Sequence, residues 1–231
     1  MKRGKEFWNA EYKHGHHLTL SENPSEDMIK FTRFLERQSG RVYLNPISSV
    51  LDLGCGNGRN LIYLSETFGM RGVGYDISAE AIEIAKKLST GFPIEYHTRS
   101  IIGALGLPDK SQTLILDMMT SHFLKLKERE NLLRELIRVL RPDGWLFLKT
   151  FLLDEDEHAE RLLKENPADE AGSYIHPKIG VAEHVFTEDE IRKVLEPYFT
   201  IHKIEKSHRH RASGKAFKRR SMSVYAQKSV Y

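Results

Sequence analysis

Asp52-Leu53-Gly54-Cys55-Gly56-Asn57-Gly58 is the stretch whose residue types and spacing bear most directly on chemistry. Glycine adopts positive φ without strain and lets a ligand approach the main chain. The residues behind it carry a helical pattern, and a helix start presents free N–H groups. Val50 and Leu51 in front read as a short strand, so the unit is strand, glycine turn, helix. A second unit follows. Gly72-Val73-Gly74-Tyr75-Asp76 is a strand ending in an acid, and Ser78 caps a helix with Ala81, Ile82, Ala85 and Leu88 at helical spacing. An acid about 20 residues beyond a glycine turn is where nucleotide-binding α/β folds take ribose hydroxyls. A dinucleotide fingerprint needs a third glycine in G-x-G-x-x-G for close helix–strand packing. Arg59 occupies that position, which argues against a nicotinamide-linked dehydrogenase.

The pair LDLGCGNGRN (51–60) and GVGYDIS (72–78) resembles the class I S-adenosylmethionine-dependent methyltransferases. The resemblance implies a Rossmann-like α/β fold: a seven-stranded, mostly parallel sheet with one antiparallel strand and helices on both faces. It implies S-adenosylmethionine as cofactor. Gly54, Gly56 and Gly58 then form the loop under the methionine moiety, flanked by Asp52, and Asp76 takes the ribose with Ile77 beside it. In the family an acid shortly after the third strand contacts the adenine amino group. This chain has Arg99 and Ser100 there, so Ser100 and Ile101 become the adenine candidates. The apolar run Thr113 to Met118 reads as a central parallel strand. Its end lies beside the methyl group in the family, which makes Asp117 and Met118 cofactor contacts. The R-P-D-G-W stretch at 141–145 also resembles the turn that leads into strand five, read here as Trp145 to Phe151. The family shares no universal catalytic residue, and none is named.

Residues on the acceptor side are sought outside these motifs. Phe7, Trp8 and Tyr12 resemble the N-terminal segment that covers the cofactor in small methyltransferases, or are aromatics of a docking helix. Tyr12 is taken as a substrate candidate. His14, His16 and His17 read as a solvated loop rather than a metal site, since no Cys or carboxylate stands close by. His122, following strand four, is either a base at the pocket rim or a helix-start residue. After strand five the pattern breaks for about thirty residues, as a lid or substrate-binding insertion does. His176 and His184 in that insertion are further substrate candidates. The four acids Asp154 to Glu157 open it as a solvated helix start, with a helix over about Glu155 to Lys164. The segment 208–220 holds six Lys or Arg and no acid. In the resembling fold this loop lies on the ligand face, so Arg209 and Arg211 become candidates for an anionic acceptor.

The remaining elements position these residues. Met28, Phe31 and Leu35 mark a helix ended by Gly40, and Leu61, Leu64 and Phe68 another ended by Gly69. Leu133, Leu136, Ile137 and Leu140 form a third stripe. A capping box at Thr187 to Glu190 opens a fourth, with Ile191, Val194 and Leu195 facing inward. Phe199 to Ile204 and Ser221 to Gln227 read as strands six and seven. The chain of 231 residues suits a single domain over 1–231, with an N-terminal cap over 1–40 and the lid-like insertion over 154–186. Net charge is only +3, and the single cysteine, Cys55, permits no intrachain disulfide, which fits a cytoplasmic protein. No apolar run reaches membrane-spanning length. The reading is a methyltransferase with a small-molecule acceptor and no membrane partner. RNA, held by the 208–220 loop, is the alternative acceptor, and a non-catalytic binding or activator subunit on the same fold is a third reading.

Overall fold

The computed structural model describes residues 2–15, 21–208, 210–212 and 215–230, with the backbone alone at 2–3, 210–212 and 215–218. Two helices, α1 (Lys2–His14) and α2 (Glu26–Ser39), precede the first strand, β1 (Ser49–Leu53). Strands and helices then alternate, except where two strands follow in succession: α3 (Arg59–Phe68), β2 (Arg71–Asp76), α4 (Ala79–Leu88), β3 (Ile94–Thr98), directly β4 (Gln112–Met118), a 3-10 turn at Ser121–Phe123, α5 (Leu126–Val139) and β5 (Leu140–Phe151). Beyond β5 come α6 (Glu157–Glu165), β6 (Ser173–Ile175), β7 (Ala182–His184), α7 (Glu188–Leu195) and β8 (Phe199–Lys206). The chain closes with β9 (His210–Ala212), β10 (Lys215–Lys218) and β11 (Ser221–Lys228).

The main sheet has the order β3-β2-β1-β4-β5-β11-β8. Strands β1 to β5 pair in parallel, and β11 runs antiparallel to both β5 and β8. This is the seven-stranded arrangement with one reversed strand that the resemblance implies. A parallel sheet covered on both faces must be apolar along its whole length, and the period of two then decides which side each residue serves. Leu51, Leu53, Ile115, Leu146, Leu148 and Val224 pack with Leu132 and Leu136 of α5 and Ile191 and Leu195 of α7. Val50, Leu114, Leu116, Trp145, Phe147 and Tyr225 pack with α2, α3 and α4. On that second face Phe31 of α2 stacks on Phe147 at 4.8 Å and meets Tyr225 at 4.9 Å, which seats the N-terminal segment on the sheet.

The structure corrects several expectations. Leu88 and Val194 have the spacing of buried residues but are 37% and 40% exposed, because the helices turn their flanks to solvent there. Strand five begins earlier than Trp145: Arg141 to Gly144 form its irregular start, with Asp143 at φ 63°. The acids at 154–157 do open α6, and Glu155 and Glu157 are exposed, but the run is not solvated throughout. Asp156 is buried, its Oδ1 accepts from the backbone of His158 and Ala159, and its Oδ2 accepts from the backbone N–H of Arg220. Arg220 also reaches Glu155 and the Asp154 carbonyl, and Asp154 accepts from the backbone N–H of Glu188. These acids therefore tie the insertion to the start of β11 and to α7. The insertion carries a small core of its own, Ala159, Leu162, Tyr174 and Val185.

Asp156→Ala removes a helix cap and leaves the Arg220 N–H without its buried acceptor. We expect a loss of about 2–4 kcal/mol of unfolding free energy, read from urea midpoints at constant slope.

Candidate functional site

The turn after β1 is built by backbone demands. Gly54 and Gly56 have φ of 68° and 57°. A Cβ on Gly54 would lie 2.3 Å from the Thr120 hydroxyl, and one on Gly56 would lie 2.4 Å from the Tyr12 hydroxyl. No larger residue fits either place. The N–H groups of Gly54 and Cys55 both donate to the Tyr75 carbonyl, at 2.7 and 2.9 Å, which holds the turn against the end of β2. Asp76 completes the joint. Its Oδ2 accepts from the Gly56 N–H at 3.0 Å and its Oδ1 from the Ser78 N–H at 2.8 Å. Ser78 caps α4 through the Ala81 N–H and donates to the Asn9 side chain at 2.8 Å, so α1 is fastened to the same corner.

A cavity of about 870 Å³ opens at the carboxyl ends of the strands. Asp52, Gly54, Gly56, Asp76 and Ile77 border it, as do Ser100, Ile101, Met118 and Tyr12. Nine of the sequence candidates thus share one cavity. Gly58 caps α3 beneath it, at φ 78°, against Tyr96. Asp117 lies just behind, buried, and accepts from the Ser121 N–H at 3.0 Å. Arg99, standing where the family has an acid nearby, donates to the Ala104 and Leu105 carbonyls and lies over the Tyr75 ring at 4.7 Å. The Ser100 hydroxyl accepts from the Ile102 N–H.

The histidines do not join this group. His122 is buried between Phe123 and Phe151, at ring distances of 4.1 and 5.0 Å, and burial lowers its pKa to about 3, so it is neutral. The His176 ring caps a turn, accepting from the Lys178 N–H. His184 is buried between the Ser173 hydroxyl and Glu190, each at 2.9 Å. Their neighbours Gly180, Val181 and Ala182 form the part of the insertion that reaches the cavity. His16, His17, Arg209 and the side chain of Arg211 lie outside the described residues. Two cations of the basic segment are committed within the protein. Arg219 lies over the Phe151 ring at 3.5 Å and pairs with Glu183 and Tyr174, and Arg220 pairs with Glu155.

Sequence reasoning passed over several lining residues. Asn57 donates to the Ser21 carbonyl at 3.0 Å. Asn60 accepts from the Ser25 N–H at 3.0 Å and donates to the Met118 sulfur at 3.3 Å. Both stand inside the glycine motif, where their role as fasteners of the N-terminal segment has no local signal. Lys149 also borders the cavity. Its signal was legible: it is the one charge in the run Trp145 to Phe151.

Two features describe what the cavity suits. Its glycine-built edge bends the main chain tightly along the cavity, with the Gly54, Cys55 and Gly56 N–H groups already paired to the Tyr75 carbonyl and Asp76. Asp52 is buried, and its Oδ2 has no hydrogen-bond partner among the described residues. Burial first, then the Asp76 and Asp117 carboxylates, raises its pKa to about 8, with Arg59 opposing. Such a carboxyl keeps its proton near neutral pH, and a cationic ligand group beside it would favour its ionised form. Cys55, by contrast, is held as an inert thiol: burial raises its pKa well above the usual value.

A family model described as a methyltransferase domain matches residues 50–144. Among curated proteins, the 27-O-demethylrifamycin SV methyltransferase of Amycolatopsis mediterranei is 28% identical over 153 residues, 64% of this chain and 54% of that enzyme. The chain spans about half the length, or less, of the curated relatives it matches first. Among solved structures, a SAM-dependent methyltransferase of Methanosarcina mazei is 26% identical, with TM-score 0.67, over 82% of this chain and 96% of that one. The Burkholderia thailandensis 1,6-didemethyltoxoflavin-N1-methyltransferase, crystallised with 1,6-didemethyltoxoflavin and S-adenosylhomocysteine, shares the fold. It has TM-score 0.69 and 18% identity over 99% of this chain and 88% of that one.

The Asp52 carboxyl binds its proton more tightly in the folded chain than in the unfolded one. Its contribution therefore makes stability fall as pH rises from about 4 to about 8, and level off above. Asp52→Asn is expected to flatten that fall, measured as urea midpoints at pH 5 and pH 8.

Proposed function

We propose, because this chain belongs to the class I S-adenosylmethionine-dependent methyltransferases, that it transfers the methyl group of S-adenosylmethionine to a small-molecule acceptor. The observation that carries this is one cavity bordered by the glycine turn, by Asp76 at the end of β2 and by Asp52 near the end of β1, whose Oδ2 has no hydrogen-bond partner among the described residues. When bound, the cofactor supplies an electrophilic methyl on a sulfonium, which an acceptor atom takes by in-line displacement.

The residues of the chain supply binding, orientation and exclusion of water. Asp76 would hold the ribose hydroxyls, and its bonds to Gly56 and Ser78 fix its rotamer for that purpose. Asp52 would meet the cationic amino end. Gly54 and Gly56 would let the turn bend tightly beside the cofactor, with Thr120 and Tyr12 filling the space that side chains there would need. Ile77, Ser100 and Ile101 would flank the adenine, and Met118 the reacting end. Asp117 would brace that strand end from behind, and Gly58 would hold the α3 start in place. The leaving thioether departs neutral, so no acid is needed, and positioning and desolvation carry the acceleration. His122 is neutral and encased by rings, so it is read as packing rather than as a base.

Residues 1–40 form the cap in this reading and 154–186 the lid-like insertion; Trp8 and Tyr12 from the one and Gly180 to Ala182 from the other border the cavity. Tyr12, whose hydroxyl lies against Gly56, is read as an acceptor-side residue where the cap meets the glycine turn. The acceptor is read as small because the similar Amycolatopsis mediterranei and Burkholderia thailandensis enzymes named above carry small-molecule acceptors in their names. Among the described residues no helix is long and apolar enough to cross a membrane. A cytoplasmic location belongs to the same reading and is supported by the free, buried thiol of Cys55.

Calorimetric titration with S-adenosylmethionine and S-adenosylhomocysteine tests the proposal. Wild type should bind both with one site per chain. Asp76→Ala should weaken both by about tenfold to a few hundredfold, the worth of one or two hydrogen bonds to a charged group. No binding of either ligand to a folded wild type would overturn it.

A further inference from the structure

At the cavity two lysines share one carboxylate. Asp27, in the first turn of α2, pairs through Oδ2 with Lys149 of β5 and through Oδ1 with Lys30, at 3.7 Å. One negative charge between two positive ones leaves the cluster with a surplus cation. Lys149 is the sheltered member, 23% exposed against 55% for Lys30, and it borders the cavity. A cation in a recess is screened less than one on the surface, so its attraction for an anion is larger. An ammonium has three N–H donors. Among the described residues Asp27 is the hydrogen-bond partner of Lys149, which leaves two donors for a ligand.

The position is as telling as the charge. Lys149 faces Met118 across the β4–β5 ladder, and its carbonyl accepts from the Met119 N–H at 2.8 Å. Met118, Met119 and Thr120 form the strand end that also borders the cavity. The same cavity also carries apolar and aromatic lining, together with the charged Lys125 and Glu128. Trp8 meets Phe123 edge to face at 5.5 Å, and Leu124 and Val181 lie on the same cavity. A volume of about 870 Å³ stands near the upper end of the range for small-ligand sites, ample for two ligands side by side.

We propose that Lys149, whose charge Asp27 offsets only in part, is an anion-binding subsite for the acceptor, and that the acceptor class is small aromatic carboxylic acids. The ring lies against Trp8 and Phe123, and the carboxylate meets the Lys149 ammonium. This rests on the reading of the cavity as a methyltransferase site. It moves the anion preference from the 208–220 segment to the sheet.

The test is calorimetric titration of benzoate and of benzamide, its uncharged isostere, into protein saturated with S-adenosylhomocysteine. Saturation keeps the cofactor's own carboxylate from accounting for the result. Wild type should prefer benzoate by on the order of tenfold, one charge-assisted pair. Lys149→Met should abolish the preference, while Asp27→Asn, which removes the competing anion, should enlarge it. Both variants should keep the wild-type affinity for S-adenosylhomocysteine. The opposite signs separate a ligand role from a merely structural ion pair, since loss of a brace would weaken both variants alike. Equal binding of the two probes, no binding of benzoate, or a preference that survives Lys149→Met would overturn the subsite. So would a matching loss of S-adenosylhomocysteine affinity in Lys149→Met, which would place Lys149 on the cofactor. Failure of wild type to bind S-adenosylhomocysteine at all would instead remove the function on which the subsite rests.

Discussion

The Asp76 carboxylate is the joint on which this molecule is assembled. It receives one N–H from the glycine turn and one from the start of α4, so two successive strand–helix connections are held by one side chain. Burial raises its pKa, while the Ser78 and Gly56 N–H groups, in that order, oppose the rise. The turn cannot shift without breaking one of those bonds, and α4 cannot shift without breaking the other. Because Ser78 also holds Asn9, the position of α1 over the cavity follows from the same corner. A site meant to bind in a fixed geometry needs its first contacts locked by a second layer, and here the backbone supplies that layer.

Much of the site was legible because backbone geometry dictates residue type. Positive φ and close approach force glycine at 54 and 56, and those constraints are written into the chain whatever packs around them. The sheet was legible for a related reason: a parallel strand covered on both faces must read as an unbroken apolar run. Helix faces were legible in direction but not in width, which is why Leu88 and Val194 were placed inside and proved exposed. The insertion was opaque. Its shape is fixed by Arg219 on Glu183 and Tyr174, and by Asp156 on the backbone of Arg220, partners tens of residues apart with no periodic signature. A run of acids in sequence shows charge but not the cation that answers it. Lys149 is a different case. A single charge in an apolar strand is itself a signal, and its position beside the cavity gives the signal meaning.

The N-terminal segment and the insertion approach the cavity by unlike means. The first is held mainly through neutral hydrogen bonds, Asn57 to Ser21 and Asn60 to Ser25, and the aromatic contacts of Phe31, with one charged pair, Asp27 on Lys149. The second is held through charged pairs and cation–ring contacts, Arg219 over Phe151 and Arg129 on Glu170. Salt weakens the partly exposed charged pairs far more than the neutral bonds. The two covers of the site therefore differ in their sensitivity to ionic strength although they meet at one opening.

The reversed strand has a consequence for the order in which the molecule is made. β11 lies between β5 and β8, and every hydrogen bond that joins β8 to the sheet passes through it. On a ribosome the chain up to Phe151 emerges with five parallel strands and an open edge on β5. The insertion, α7 and β8 follow, yet Asp156, Glu183 and Tyr174 must wait for Arg219 and Arg220, which arrive just ahead of β11. An unpaired sheet edge is a template for pairing with another chain. Nascent molecules thus pass through an interval in which the edge of β5 is bare, and β11, synthesised after β8, both closes that edge and sets the insertion in place.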